Sequence, residues 1–308
     1  MSEPALELRN VSKYYGEFCA VNDLSLTVPR GCIYGFLGPN GAGKTTSLRM
    51  ILDILRPSSG TISVLGAPSA LAVRHRIGYL PEEKGLYKKM KAWAVIAYFA
   101  GLKGLSSGDA RRRAFELLER YGLKDFAQAK TEALSKGMGQ KVQVLASIAH
   151  DPELVILDEP FSGLDPVNQG VLEEIVTDLR ARGRTVLFST HVMAHAERLC
   201  DRLVIIGGGR RLFDGTMTEA RRILPHRVRL HTDDDPAPLR GVPGVTGLIS
   251  DGPGAWQVEL SEGADPQLVL RACFERAIRL RTFNAAEPSL HDVFMKLVGP
   301  SAREASFR

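Results

Sequence analysis

Short apolar runs alternate along this chain with longer stretches of helical spacing. Residues 5–11 and 24–28 alternate apolar and polar positions, as half-buried strands do. Residues 32–37 form a continuous apolar run that ends in a glycine-rich turn and then a helical stretch, 45–55. Residues 154–157 end in Asp-Glu-Pro, 185–189 end in Thr-His, and 203–206 make a fourth run. Runs of this kind, alternating with helical segments such as 167–182, predict an α/β fold whose mainly parallel sheet is covered on both faces.

Two regions break that rhythm. From about residue 85 to 150 the spacing is helical, with Ala114, Phe115, Leu118 and Tyr121 on one face of a helix over 110–121. This predicts a helical subdomain inserted into the α/β core of a first domain, 1–222. After Arg222, strand-like segments (227–232, 255–260, 278–283) alternate with helical ones (266–276, 289–298), separated by the turn-rich stretches DDDPAP and SDGPGA. Residues 223–298 therefore read as a small α+β domain, and 299–308 as a loose tail.

Composition narrows the class. The 308 residues exceed one ordinary domain, and shares of 44% hydrophobic and 24% charged suit a soluble globular protein. The longest apolar run, 92–102, is about half the roughly 20 residues a membrane-spanning helix needs, so it reads as a buried helix. The opening MSEPALELRN has acidic residues and no apolar segment of a secretory signal. Both features lead to the expectation of a cytoplasmic protein, with any membrane role exercised through a partner. Cys19, Cys32, Cys200 and Cys273 form no CxxC and read as free thiols. A net charge of +5 and a pI near 9.0 permit contact with acidic partners but select none.

The chemistry is carried by a few motifs. GPNGAGKTT comprises Gly38, Pro39, Asn40, Gly41, Ala42, Gly43, Lys44, Thr45 and Thr46; it follows a predicted strand, opens a helix and satisfies GxxxxGK[ST]. Its glycines let backbone N–H groups turn around a phosphate, and the helix start adds positive partial charge. Lys44 would reach the β- and γ-phosphates of ATP, and Thr45 would ligate Mg²⁺. In LVILDEP a buried strand delivers Asp158, which can hold Mg²⁺ through water. Glu159 follows, where it can polarise an attacking water.

With these motifs in this order, the chain resembles an ABC-type ATPase cassette over residues 6–222, about two-thirds of its length. The resemblance implies a P-loop ABC cassette with its inserted helical subdomain, followed by the small α+β C-terminal domain. Tyr15 in KYYG matches the aromatic that stacks on adenine, with Tyr14 as its rival. LSKGM, residues 134–138, sits where the family signature LSGGQ is expected, with Lys136 and Met138 replacing Gly and Gln. Ser135 and Gly137 remain, and in the family they serve the ATP held by the opposite subunit. FSGLD (161–165) matches the D-loop, and FSTH gives His191 the place of the switch histidine. His195, four residues on, reads as a helix-surface residue, since no third metal ligand accompanies the pair.

Glu82 departs from the family in another place. In IGYLPEEKGLY it occupies the position of the Q-loop glutamine, keeping an oxygen for Mg²⁺ or water while adding negative charge. Leu86 and Tyr87 would lie near the groove that receives a helix of the membrane subunit. Lys84, Lys88, Lys89 and Lys91 are close by, and Arg111 to Arg113 read as a solvated helix face. Glu82, LSKGM and the ending EPSLHDVF together resemble the stand-alone ATP-binding subunits of bacterial exporters for sodium or drugs. The DDD at Asp233 to Asp235, beside prolines, reads as a solvated turn. The resemblance implies a dimer, of identical chains or with a related cassette, and a membrane-spanning permease partner on the inner face of the cell membrane. No nucleic acid is expected. A soluble ABC factor acting on ribosomes or nucleic acid is the alternative, although such members carry two cassettes or long insertions that this chain lacks. A non-catalytic nucleotide sensor would require Glu82 or Met138 to disable a site that has Lys44, Glu159 and His191.

Overall fold

The computed structural model describes residues 3–299 except 84, 86, 262 and 286. Lys84, Leu86 and the tail beyond Gly299 thus lie outside the described residues. The elements in chain order are β1 (Leu6–Tyr15), β2 (Phe18–Val28), β3 (Ile33–Leu37), α1 (Lys44–Ile51), β4 (Ser59–Val64), β5 (Ile77–Leu80), α2 (Ala92–Leu102), α3 (Ser107–Arg120) and α4 (Lys136–Ile148). There follow β6 (Leu154–Leu157), α5 (Pro166–Ala181), β7 (Thr185–Thr190), α6 (Met193–Leu199), β8 (Arg202–Gly207) and β9 (Arg210–Thr216). The last are α7 (Met217–Arg221), β10 (His226–Thr232), β11 (Val245–Ser250), β12 (Ala255–Leu260), α8 (Pro266–Glu275), β13 (Leu280–Asn284) and α9 (Leu290–Val298). The chain divides into two compact units, one running to Thr216 and including Val298, the other Met217–Leu297.

The first unit is built on a six-stranded sheet in the order β5-β6-β7-β3-β8-β9, parallel except for β9. Its central strands β3, β6 and β7 are buried along their whole length and largely apolar, because both of their faces are covered, while the edge strand β9 is mostly polar. Alternate residues enter different cores: Val155 and Leu157 of β6 and Val186 and Phe188 of β7 pack with α2 to α5, while Leu154, Ile156 and Leu187 pack on the other side. That other side is covered by α1 and by an antiparallel sheet, β2-β1-β4. Pairings of Leu80 with Leu157, Leu157 with Phe188 and Leu37 with Thr190 align the C-terminal ends of four neighbouring strands. Loops leaving those ends share one edge, the usual place for a ligand in an open parallel sheet.

Several sequence expectations need adjusting. Helix α1 stops at Ile51 rather than Leu55, since Asp53 turns left-handed (φ 58°) and Pro57 follows soon after. Helix α2 is not buried all round: Val95, Ile96 and Ala100 face the core, but Tyr98 and Leu102 are exposed. Helices of the inserted region run from Ala92 to Ile148, and among the described residues no helix covers its start. Arg111 lies over the Trp93 ring, 5.1 Å from its centroid, and that ring stacks on Phe115. His195 is buried, not on the surface; its ring meets Phe161 edge-on at 4.2 Å, and burial lowers its pKa.

In the second unit an antiparallel sheet, β11-β12-β10-β13, buries Val228, Leu230, Val258 and Leu260 with Val269 and Cys273 of α8. Its acidic turn is tied by ion pairs of Asp233 with Arg281 and Asp234 with Arg279, the latter holding the Asp234 carboxyl at about 2. The four cysteines are free thiols. Among the described residues no helix is long and apolar enough to cross a membrane.

Candidate functional site

The glycine-rich loop links β3 to α1, and its conformation demands glycine at two points. Gly43 caps α1 at φ 96°, where a Cβ would come within 2.5 Å of the Ala20 carbonyl oxygen. A Cβ on Gly38 would lie 2.6 Å from the Ile206 carbonyl oxygen. The loop borders a cavity of about 390 Å³, a size suited to a small molecule. Tyr15, Pro39, Asn40, Gly41, Ala42, Gly43, Lys44, Thr45, Thr46, Glu82 and Glu159 line it together with Phe18 and Ala20. Of the two candidate tyrosines, the cavity takes Tyr15 and leaves out Tyr14. Phe18 escaped the sequence reading; it faces Tyr15 across the β1–β2 hairpin, and both rings are exposed.

Lys44 is buried, with Nζ donating to the Gly38 carbonyl at 2.8 Å and the Pro39 carbonyl at 3.3 Å. It also stands 3.4 Å from Glu159 Oε1. The other Glu159 oxygen lies 3.0 Å from His191 Nδ1, at the end of β7. Glu159 has φ 45°, a conformation that costs a non-glycine residue about 1–3 kcal/mol. Such a backbone persists only where its surroundings over-determine it.

Behind the cavity wall Asp158 is buried. Its Oδ1 accepts a hydrogen bond from Ser189 Oγ at 2.5 Å, and Ser189 Oγ accepts from the Glu159 backbone N–H at 2.9 Å. Burial raises the Asp158 pKa, while the Ser189 and Thr45 side chains act the other way. Asp158 Oδ2 is buried without a hydrogen-bond partner. An orphaned carboxylate oxygen beside a threonine hydroxyl suits a hard cation such as Mg²⁺. Among the described residues no group of three or more His, Cys, Asp or Glu could hold a metal. A cation held by Thr45 and Asp158 would therefore need oxygens from a phosphate ligand and water.

Ser135 and Gly137 do not line this cavity. Ser135 caps α4, its hydroxyl accepting from the Met138 N–H. A Cβ on Gly137 would fall 2.4 Å from Asn168 Nδ2, whose amide is held by Asp165, the cap of α5. Gln140, also unforeseen, is buried on α4 and donates to the Pro160 carbonyl, beside Glu159. The geometry thus unites phosphate-loop, carboxylate and aromatic groups at one edge, with the signature residues outside it. Such an edge offers backbone N–H groups and a lysine to a phosphate, an aromatic face to a flat ring, and carboxylates to water or a cation.

Comparison with known proteins gives the family. Residues 21–162 match the ABC transporter family, and residues 215–298 match the C-terminal domain of DrrA1-3-like ATP-binding proteins. An uncharacterized ABC transporter ATP-binding protein of Bacillus subtilis (strain 168), YhaQ, is 40% identical over 302 residues, 96% of this chain and 98% of its own. The Nod factor export ATP-binding protein I of Burkholderia orbicola (strain AU 1054) is 41% identical over 218 residues, 70% of this chain and 72% of that protein. A solved structure of the ATP-binding subunit of an ABC transporter superposes with a TM-score of 0.65 at 35% identity, over 71% of this chain and 92% of that one.

Proposed function

Since the chain belongs to the ATP-binding proteins of ABC transporters, we propose that it binds ATP with Mg²⁺, hydrolyses it, and drives a separate membrane-spanning permease in the export direction. The observation that carries this reading is the single cavity where the phosphate loop, Tyr15, Glu82 and Glu159 meet, with Lys44 against Glu159.

The adenine stacks on Tyr15, with Phe18 beside it. The triphosphate lies along the N–H groups of residues 38–46, and Lys44 leaves its own loop carbonyls for the γ-phosphate. Thr45 and Asp158 hold Mg²⁺, which when bound neutralises charge on the β- and γ-phosphates. Glu159 polarises the attacking water, and His191 orients that carboxylate. Glu82 adds an oxygen for water or Mg²⁺ at the cavity wall and a negative charge that retunes turnover.

Ser135 and Gly137 act on a second ATP, held by a partner chain in a two-fold dimer. ATP bridges the two chains and shifts the population toward the closed dimer, and loss of the γ-phosphate reopens it. Exposed Tyr87 and Tyr98, packed edge to face at 5.6 Å, support a docking place for the permease, which keeps the subunit at the inner face of the membrane. Export is supported by the relative named for Nod factor export.

The test is to express Glu159→Gln chain in its native cells, trap it with ATP, and identify what copurifies from mild detergent extracts. A polytopic membrane protein is expected. Ribosomes or nucleic acid without a membrane subunit would overturn the transporter reading.

A further inference from the structure

Ser189 joins, through its hydroxyl, the two acidic residues Asp158 and Glu159. It is fully buried near the end of β7, one residue beyond Phe188, which pairs with Leu157. Register alone therefore sets Ser189 beside Asp158. A serine hydroxyl has one proton to give and lone pairs to accept with. The Glu159 N–H can only donate, and it does so to Ser189 Oγ at 2.9 Å. The hydroxyl proton then goes to Asp158 Oδ1, at 2.5 Å, the length of a strong bond to a carboxylate.

This pair of bonds has two consequences. Asp158 has Oδ1 engaged by Ser189 and Oδ2 open, so the hydroxyl favours the carboxylate orientation that presents one free oxygen. Glu159 is clamped by its backbone in the left-handed conformation that aims its side chain toward Lys44 and His191. We propose that Ser189 is a positioning residue for ATP hydrolysis, orienting the Mg²⁺-holding oxygen of Asp158 and the base Glu159 through one hydroxyl. The inference rests on the reading above for the roles of Asp158 and Glu159. Partners that orient a ligating carboxylate are typically worth about 10–100-fold in metal affinity or activity.

The experiment compares Ser189→Ala, Ser189→Thr and Ser189→Cys in the full chain, with thermal unfolding as a control for folding. Steady-state kinetics are paired with binding of a fluorescent ATP analogue, measured with EDTA and with Mg²⁺. For Ser189→Ala, kcat should fall about tenfold or more while KM stays within about threefold. Binding in EDTA should match wild type, and the gain in affinity brought by Mg²⁺ should shrink about tenfold. Threonine, which keeps the hydroxyl, should restore both readouts. Cysteine keeps the volume with a poor donor, should behave like alanine, and stands in for it where the alanine chain does not fold. Wild-type kcat and a wild-type Mg²⁺ effect in either the alanine or the cysteine variant would overturn the proposal. A wild-type chain that binds the analogue but hydrolyses no ATP would overturn the hydrolysis reading, and the Mg²⁺-dependent affinity would still decide the role of Ser189.

Discussion

Lys44 and Glu159 hold each other: Nζ lies 3.4 Å from Oε1, and both side chains are more than nine-tenths buried. The lysine meant for phosphate and the carboxylate meant for water therefore share one contact. A γ-phosphate would compete with Glu159 for Lys44, and the carboxylate would be released toward water as the phosphate arrives. Breaking a buried pair from one side leaves a charge uncompensated, at a cost of about 3 kcal/mol. Lys44→Met should lower unfolding stability by that order and abolish ATP affinity. The double variant Lys44→Met/Glu159→Gln should recover part of the stability. Denaturant unfolding of the four chains measures the coupling, and an additive result within about 0.5 kcal/mol would deny the pair any energetic weight.

The aromatic end of the cavity makes a sharper distinction among neighbours. Stacking of a base on an aromatic ring is worth about 1–3 kcal/mol. Tyr15→Ala should raise KM for ATP by about 5-fold or more, and Phe18→Ala should raise it by a smaller factor. Tyr14→Ala should change it little, because Tyr14 is absent from the cavity lining. Equal effects at Tyr14 and Tyr15 would contradict the assignment.

Outside the cavity, Gly137 tests the signature region. A methyl group there meets the Asn168 amide, which Asp165 already holds at 2.6 Å. Gly137→Ala should cut ATPase turnover at least tenfold while binding of a fluorescent ATP analogue stays unchanged, the pattern of an interaction made only in the closed dimer. Ser135→Arg should do the same by blocking ATP-driven closure. Lost nucleotide binding in either variant would place these residues in the chain's own site instead.

His150 should leave a mark on stability rather than on catalysis. Its Nε2 stands 3.1 Å from the Ile77 carbonyl, and burial, with Lys103 adding to it, drives its pKa from 6.5 to about 4. Between those values the unfolded chain takes up a proton that the fold refuses. Stability therefore falls as pH drops from 6.5 toward 4, by up to about 3 kcal/mol from this group. His150→Gln should flatten that part of the pH dependence. Urea midpoints at pH 7.5 and 4.5 for both chains measure it, and parallel losses would contradict it.

How much of this was legible beforehand follows from the kind of signal each feature leaves. The strand at residues 154–157 matches its apolar run end to end, since burial of the whole strand writes itself into composition, and the half-buried strand at 255–260 matches its strand-like segment. Strand β4 is buried only at its last residue and left no such trace. Strand β5 is only four residues long. Phosphate-loop residues were readable because backbone geometry there demands glycine at fixed spacing. Ser189 and Gln140 were not, because their partners lie 30 and 20 residues away and arise only from packing β6 against β7 and α4 against the loop after β6. His195 was misplaced because a helix start so close to a strand end gives too few residues to show which face is buried.

The central claim is that ATP joins two copies of this chain and that Glu159 ends the joined state. Light scattering on a sizing column, with the Glu159→Gln chain at fixed concentration, tests it most directly. With Mg²⁺ and ATP the mass should rise from 33.7 kDa to about twice that value, with no phosphate released, and ADP should leave it a monomer. A chain that stays monomeric with saturating ATP, or that releases phosphate at the wild-type rate, would contradict the account.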